Sequence, residues 1–412
     1  MTTIVSHPSA PIPAVRSRWE GLDWLRAGAT VLVVCLHAGI PYLKHPMPGL
    51  AWPARESASI PVDVLCWGID AFIMPLFFLQ SGFFAAQLMR RHGPDGFLKH
   101  RVQRVGGPLL FGMVVILPLD LYAWLLSWVG QGLITARKLR SLKIDSPLGE
   151  NLWGLSHLWF LEYLLVFCVI AWGLQRLAAL RKRDTLPMHT PSHMDGSSWL
   201  AMLGAIAISG LALWWQPRVV IGFRHSWWPL AANMLYYAPC FGLGWMWSRS
   251  RRGSRQSQLS FGIRLAVGAL MFAGLYPLLQ QHLAAESIPV ANPLLPFMFA
   301  ASAWMLSTGF FGWCLYHVHV SPPKPVQYLA EASFWIYLMH HPVVGLVQGN
   351  LVHWNISSEL KFAIATSAGL GMSLLTYHAF VRRSWIGELL NGRRIGAPVS
   401  PAADPSRQSV AA

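Results

Sequence analysis

The sequence predicts an all-α fold: a polytopic transmembrane helix bundle of about ten spans. Three observations predict it. Of 412 residues, 54% are apolar and only 12% charged, where an ordinary soluble domain carries roughly 25% charged residues. The apolar residues gather into ten runs, each long enough to cross roughly 30 Å of hydrocarbon as a helix. The 32 Lys and Arg concentrate in the short segments between those runs, as the positive-inside bias of membrane proteins requires. The 21 Trp fit the same picture, because Trp collects at membrane interfaces. A soluble multidomain protein, a disordered chain, a collagen-like chain and a disulfide scaffold are excluded. The net charge of +15 would suggest nucleic acid in a soluble protein; its placement between apolar runs assigns it to membrane orientation instead, so no nucleic-acid partner is expected.

Taken in order, residues 1–18 (MTTIVSHPSAPIPAVRSR) are rich in Pro and Ser and read as a disordered tail. The first apolar run, Ala27 to Leu43, is followed by no A-x-A cleavage site and reads as a retained span. Further runs lie near 60–87, 106–129, 153–176, 198–216, 229–248, 261–280, 293–316, 333–352 and 361–381. Residues 19–387 therefore form one transmembrane domain, and 388–412 read as a second disordered tail. An even span count puts both termini on one side. With the N-terminus inside, 23 basic residues fall in inside segments and 9 in outside loops, so both termini are expected in the cytoplasm. The exception is the 130–150 loop, with Arg137, Lys138, Arg140 and Lys143, readable as an amphipathic surface segment. No repeat of 20–50 residues is visible. The five cysteines stand singly in apolar runs, without metal-ligand or disulfide spacing.

Ionisable groups inside a span are costly and mark function by default. The first span reads LDWLRAGATVLVVCLHAGIPYL, with Arg26 at its mouth and His37 eleven positions on. That places His37 about 16 Å deeper along a helix, near the bilayer midplane. A neutral imidazole there can take a proton from a hydroxyl, or it can be a hydrogen-bonded packing residue.

These residues resemble the acyltransferase-3 family of membrane acyltransferases, which has an Arg and a His separated by ten residues in its first span. MPLFFLQSGFFAAQLMRR (74–91), FLKHRVQRVGGPLLFG (97–112), HLWFLEYLL (157–165) and FWIYLMHHPVV (334–344) resemble later landmarks of the same family in order and spacing. Together they cover most of residues 18 to 345. The resemblance implies transfer of an acyl group from cytoplasmic acyl-CoA, the co-substrate, to a hydroxyl of a sugar or other acceptor across the membrane. It implies His37 as the essential histidine and Arg26 as its paired arginine. The wording is nearest to a branch tied to succinylation of periplasmic glucans, so succinyl or acetyl is the expected group and a carbohydrate or glucan the expected acceptor. The expected location is the cell membrane, the inner one where there are two.

Arg suits CoA phosphates through its planar fork of donors. Arg90, Arg91, Lys99, Arg101 and Arg104 share the expected face of Arg26, with Arg101 and Arg104 the foremost CoA ligands; the same cluster can serve as an orientation signal or a lipid headgroup site. In the ninth span His340 and His341 precede Pro342. Adjacent helix positions point about 100° apart, so one of the two is expected inside, His340 on family position. It is readable as a partner of thioester, acceptor or Tyr337, or as a structural bond to the kinked backbone. Glu162 can orient an acceptor hydroxyl, with His157 at the rim. Asp70 can orient His37 or simply be packed. Ser81-Gly82 lacks the G-x-S-x-G frame and reads as a small pair allowing close helix approach. No P-loop, GxGxxG, HExxH or CxxC motif is present, so neither metal nor prosthetic group is expected.

The leading expectation is an O-acyltransferase with His37 as general base. Direct attack on the thioester and an acyl-histidine route are not distinguished by any residue. The rival is a transporter of a sugar or lipid conjugate, which suits midplane ionisable groups equally well.

Overall fold

The computed structural model describes residues 20–145, 148–149, 151–180, 196–248, 255–285 and 292–391. The two expected tails fall on residues outside these, with one correction below.

The described chain is helical throughout, without strands. Helix α1 (Glu20–Gly39) ends in a tight 3-10 turn, Ile40–Tyr42. Helix α2 (Ile60–Arg101) continues through α3 (Gly107–Phe111) and α4 (Leu117–Gly130), joined by single π-turns at Val102–Gly106 and Gly112–Ile116. After a short α5 (Lys138–Ser141) come α6 (Trp159–Leu180), α7 (Gly196–Trp215), α8 (Ala231–Trp247), α9 (Arg255–Ala284) and α10 (Leu294–His317). The chain closes with α11 (Lys324–Leu351), α12 (Ser358–Thr376) and α13 (Trp385–Asn391). Each of the ten apolar runs read from the sequence coincides with helix.

Six helical stretches among the described residues are long and apolar enough to cross a membrane. One of them, Ile60–Gly130, has 71 residues. At 1.5 Å per residue that is about 105 Å, over three times the hydrocarbon thickness. It is broken at Gly93, whose backbone (φ 67°, ψ 178°) is not helical and lies in a region open to glycine.

The side chains are arranged for lipid. Leu110, Val114, Leu174, Leu203, Leu270 and Phe380 are exposed, while Thr30, Gln80, Asp120, Ser302, Thr308, His340, His341 and Gln348 are buried. Large apolar side chains on the outside, around an apolar core that also holds these polar groups, depart from the soluble pattern. The protein is a multi-pass membrane protein.

Close approach makes the packing possible. A Cβ on Gly82 would stand 2.0 Å from the Phe241 carbonyl oxygen, and one on Gly244 would stand 1.8 Å from that of Leu79. Helices α2 and α8 thus cross backbone to backbone, as the small residue at 82 suggested.

The 130–150 loop has the two faces expected of it. Leu139, Leu142 and Ile144 pack on the Trp124 and Trp128 cluster, while Arg137, Arg140 and Lys143 are exposed. The five cysteines are free and buried or half-buried. The domain boundary at 387 needs correction, because residues 388–391 belong to α13. Leu390 is buried, and Arg104 donates to the carbonyls of Glu388 and Leu389, so this turn is docked.

Candidate active site

Helix α11 is the centre of the site. It packs against α1, α4 and α12, which leaves its middle turns only a narrow, partly exposed strip at Met339 and Val343. His340 and His341 are accordingly both buried, which corrects the expectation that only one of them faces inward. They face different cavities.

The first cavity, of about 970 Å³, lies at the N-terminal end of α1. Arg26, Arg101, Arg104 and His340 line it, with Arg91 and His92 exposed at its mouth. Three of the five clustered basic residues thus share one cavity with Arg26. Arg90 turns away to Ser248, 3.0 Å from its hydroxyl and its carbonyl, and Lys99 is exposed outside the lining. Arg26 is fixed by a 3.2 Å bond to the Ser333 hydroxyl on α11. Arg101 lies over the Phe97 ring, and its buried Nε has no hydrogen-bond partner among the described residues.

The second cavity, of about 100 Å³, lies at the C-terminal end of α1. His37, His341, Asp70, His157 and His225 line it. Val33, Phe77 and Tyr337 belong to both cavities and form the partition between them. A third, outer recess adjoins the second through Ser156, Trp159, Val219 and Phe223. It holds Glu162 with Arg218, Arg224, Asn233 and Trp228. Glu162 is therefore in the outer recess, apart from the histidines.

His37 lines the second cavity and meets His340, which lines the first. Its Nδ1 is 3.0 Å from the Val33 carbonyl and 3.1 Å from Nε2 of His340. The carbonyl can only accept, so Nδ1 carries the proton. His340 Nδ1 in turn donates to the Ile336 carbonyl at 2.8 Å, leaving its Nε2 as the acceptor for His37. The ring nitrogen of His37 that remains, Nε2, then holds a bare lone pair. Trp52 stacks on the ring (centroids 5.9 Å apart, planes at 19°), and Gln348 ties Trp52 and the Ala38 carbonyl together through bonds of 2.7 Å each. The ring is half-buried and reaches a cavity; it is not sealed in hydrocarbon. Asp70 shares this cavity, but the His37 Nδ1 proton is already engaged elsewhere, and Asp70 Oδ2 has no hydrogen-bond partner among the described residues.

Two members, His225 and Asp120, were missed by sequence reasoning. Asp120 of α4 is buried, with His341 Nδ1 2.8 Å from one oxygen and the Ser156 hydroxyl 3.3 Å from the other. Ser156 has a left-handed backbone (φ 47°), strain of a kind that clusters at functional sites. His157 donates from Nε2 to the Leu338 carbonyl at 3.2 Å, and Tyr337 donates to the His157 carbonyl. The spacing of Asp120, His157 and His341 brings ligand atoms within 4.8 Å of one another. Yet the two imidazoles stack, centroids 4.4 Å apart and planes at 17°. As it stands, the group is held together by hydrogen bonds from His341 and Ser156 to Asp120.

Fold and site together define a multi-pass membrane protein with an imidazole pair between two cavities, one basic and one opening beneath an aromatic recess. The family comparison agrees. A model of the acyltransferase-3 family, described as an acyltransferase domain, matches residues 19–378, and the chain belongs to this family. It is an acyl-transferring enzyme. The glucans biosynthesis protein C of Salmonella typhi is 25% identical over 389 residues, spanning 93% of this chain and 96% of that protein. Those of Salmonella typhimurium and Salmonella schwarzengrund match to the same extent. No solved structure matches.

Proposed function

We propose that this enzyme moves an acyl group, succinyl or acetyl, from acyl-CoA in the basic cavity to a hydroxyl of a glucan or related sugar in the opposite one. The observation that carries the reading is the contact of His37, which lines the smaller cavity, with His340, which lines the basic one. The Nε2 of His37 takes the proton of the acceptor hydroxyl while the oxygen attacks the thioester carbonyl carbon. The C–S bond breaks, and the CoA thiolate takes the proton back from the imidazolium. His340 accepts the Nδ1 proton's hydrogen bond throughout and keeps His37 in the productive tautomer. Arg26, Arg101 and Arg104 hold the CoA phosphates. Glu162, with Trp228 and the neighbouring arginines, receives the sugar at the outer recess, where an aromatic face and planar polar groups suit a polyol.

In this reading the ten helical runs are ten spans, both termini and the basic cavity are cytoplasmic, and the enzyme sits in the inner membrane of a two-membrane cell. The distribution of 23 basic residues against 9 supports it. A reporter fused after residue 95 should give a cytoplasmic signal; a periplasmic signal would put the arginines on the wrong side for CoA.

The direct test is release of CoA thiol by purified protein given acyl-CoA and a glucan oligosaccharide. Export of the sugar without CoA release would sink the proposal. In the same assay Arg101→Ala should raise the donor KM about tenfold, the scale of one charge-assisted hydrogen bond, and leave acceptor KM unchanged. Arg104→Ala is the less clean probe, because Arg104 also anchors α13.

A further inference from the structure

The Asp120–His341 pair takes no part in the scheme above, yet it is built with care. Asp120 accepts from His341 Nδ1 at 2.8 Å, so the second nitrogen, Nε2, carries a lone pair. The ring lies between His157 (4.4 Å, 17°) and Trp124 (5.6 Å, 29°), a sandwich that prevents it from turning. No described protein group bonds its Nε2, and His341 lines the same cavity as His37, the two ring centroids 5.0 Å apart and edge-on. That cavity is therefore lined by two imidazoles whose Nε2 lone pairs no described group engages. A lone alcohol has one proton to offer, whereas neighbouring hydroxyls on a sugar ring stand about one hydrogen-bond length apart and offer two.

Resting on the acyl-transfer reading, we propose that His341, oriented by Asp120, accepts a hydrogen bond from the hydroxyl adjacent to the one that receives the acyl group. The site is thereby specific for sugars and other vicinal polyols. His341 is a specificity residue, and Asp120 and His157 are positioning residues for it.

The test uses the full-length protein in nanodiscs with acetyl-CoA or succinyl-CoA, following thiol release. The acceptors are methyl β-D-glucopyranoside and its 2-, 3-, 4- and 6-deoxy analogues. Absence of release with the parent glycoside and with a glucan oligosaccharide alike counts against the acyl-transfer reading itself. Given turnover, one analogue should be dead, lacking the reacting hydroxyl. A second, lacking a hydroxyl next to it on the sugar, should lose about tenfold or more in kcat/KM. In His341→Gln that second penalty should shrink to about twofold, the scale of a lost but non-specific contact, with donor KM unchanged. The proposal is overturned if wild-type enzyme shows no second sensitive position, or if that position is not adjacent to the first. A full second penalty in folded His341→Gln overturns it too. The first two outcomes need no variant to fold.

Discussion

Replacing His37 by glutamine is expected to abolish acyl transfer while leaving the protein folded. A positioned general base contributes on the order of a hundred- to ten-thousand-fold, so turnover should fall about a thousand-fold or more. Folding should survive because the ring is half-buried and faces a cavity. A glutamine amide can still donate to the Val33 carbonyl and to Nε2 of His340, so neither buried acceptor is stranded. What glutamine cannot do is take a proton. The measurement is CoA-thiol release at saturating donor and acceptor, with size-exclusion elution and melting temperature as folding controls. A folded variant with near-normal turnover would remove His37 from the chemistry. The two kinds of variant also separate by kinetics: the defect of Arg101→Ala should be overcome by more acyl-CoA, and that of His37→Gln should not.

The sequence exposed the helices because an apolar run long enough for a bilayer is a local signal, and each run became helix. Arg26 and His37 were legible for the same reason, being two costly groups on one short segment. Asp120 was not. In LPLDLYAWLL it is a lone acid in an apolar helix, and its partner His341 lies 221 residues away. Only the packing of α4 on α11 joins them. The same packing explains why both His340 and His341 point inward. A periodicity argument assumes that a helix has a broad lipid face, and that of α11 is narrowed by three neighbours to a strip at Met339 and Val343. Glu162 shows the converse: its position three residues into α6 was legible, but which of three recesses it enters depends on the loop holding Arg218 and Arg224.

Introducing valine at Gly244 is expected to cost most or all of the folded protein. A Cβ there would lie 1.8 Å from the Leu79 carbonyl oxygen and 3.0 Å from the Phe83 backbone nitrogen, and two backbones cannot both yield as a flexible side chain would. Helices α2 and α8 must separate; overpacking typically costs about 1–3 kcal/mol and more where, as here, backbone rather than a side chain would have to yield. The consequence reaches the site, because α2 carries Asp70, Phe77 and Gln80, which wall the two cavities. Two residues earlier on the same helix, Gly242 has nothing within 4 Å of its Cβ position. Gly242→Ala should therefore be neutral or raise stability by up to about 1 kcal/mol, the helix-propensity difference. Melting temperature and detergent-soluble yield of the two variants, made side by side, separate a steric crossing from general glycine flexibility. If valine at 244 left the melting temperature unchanged, the backbone crossing of α2 and α8 would be wrong, and with it the shape of both cavities.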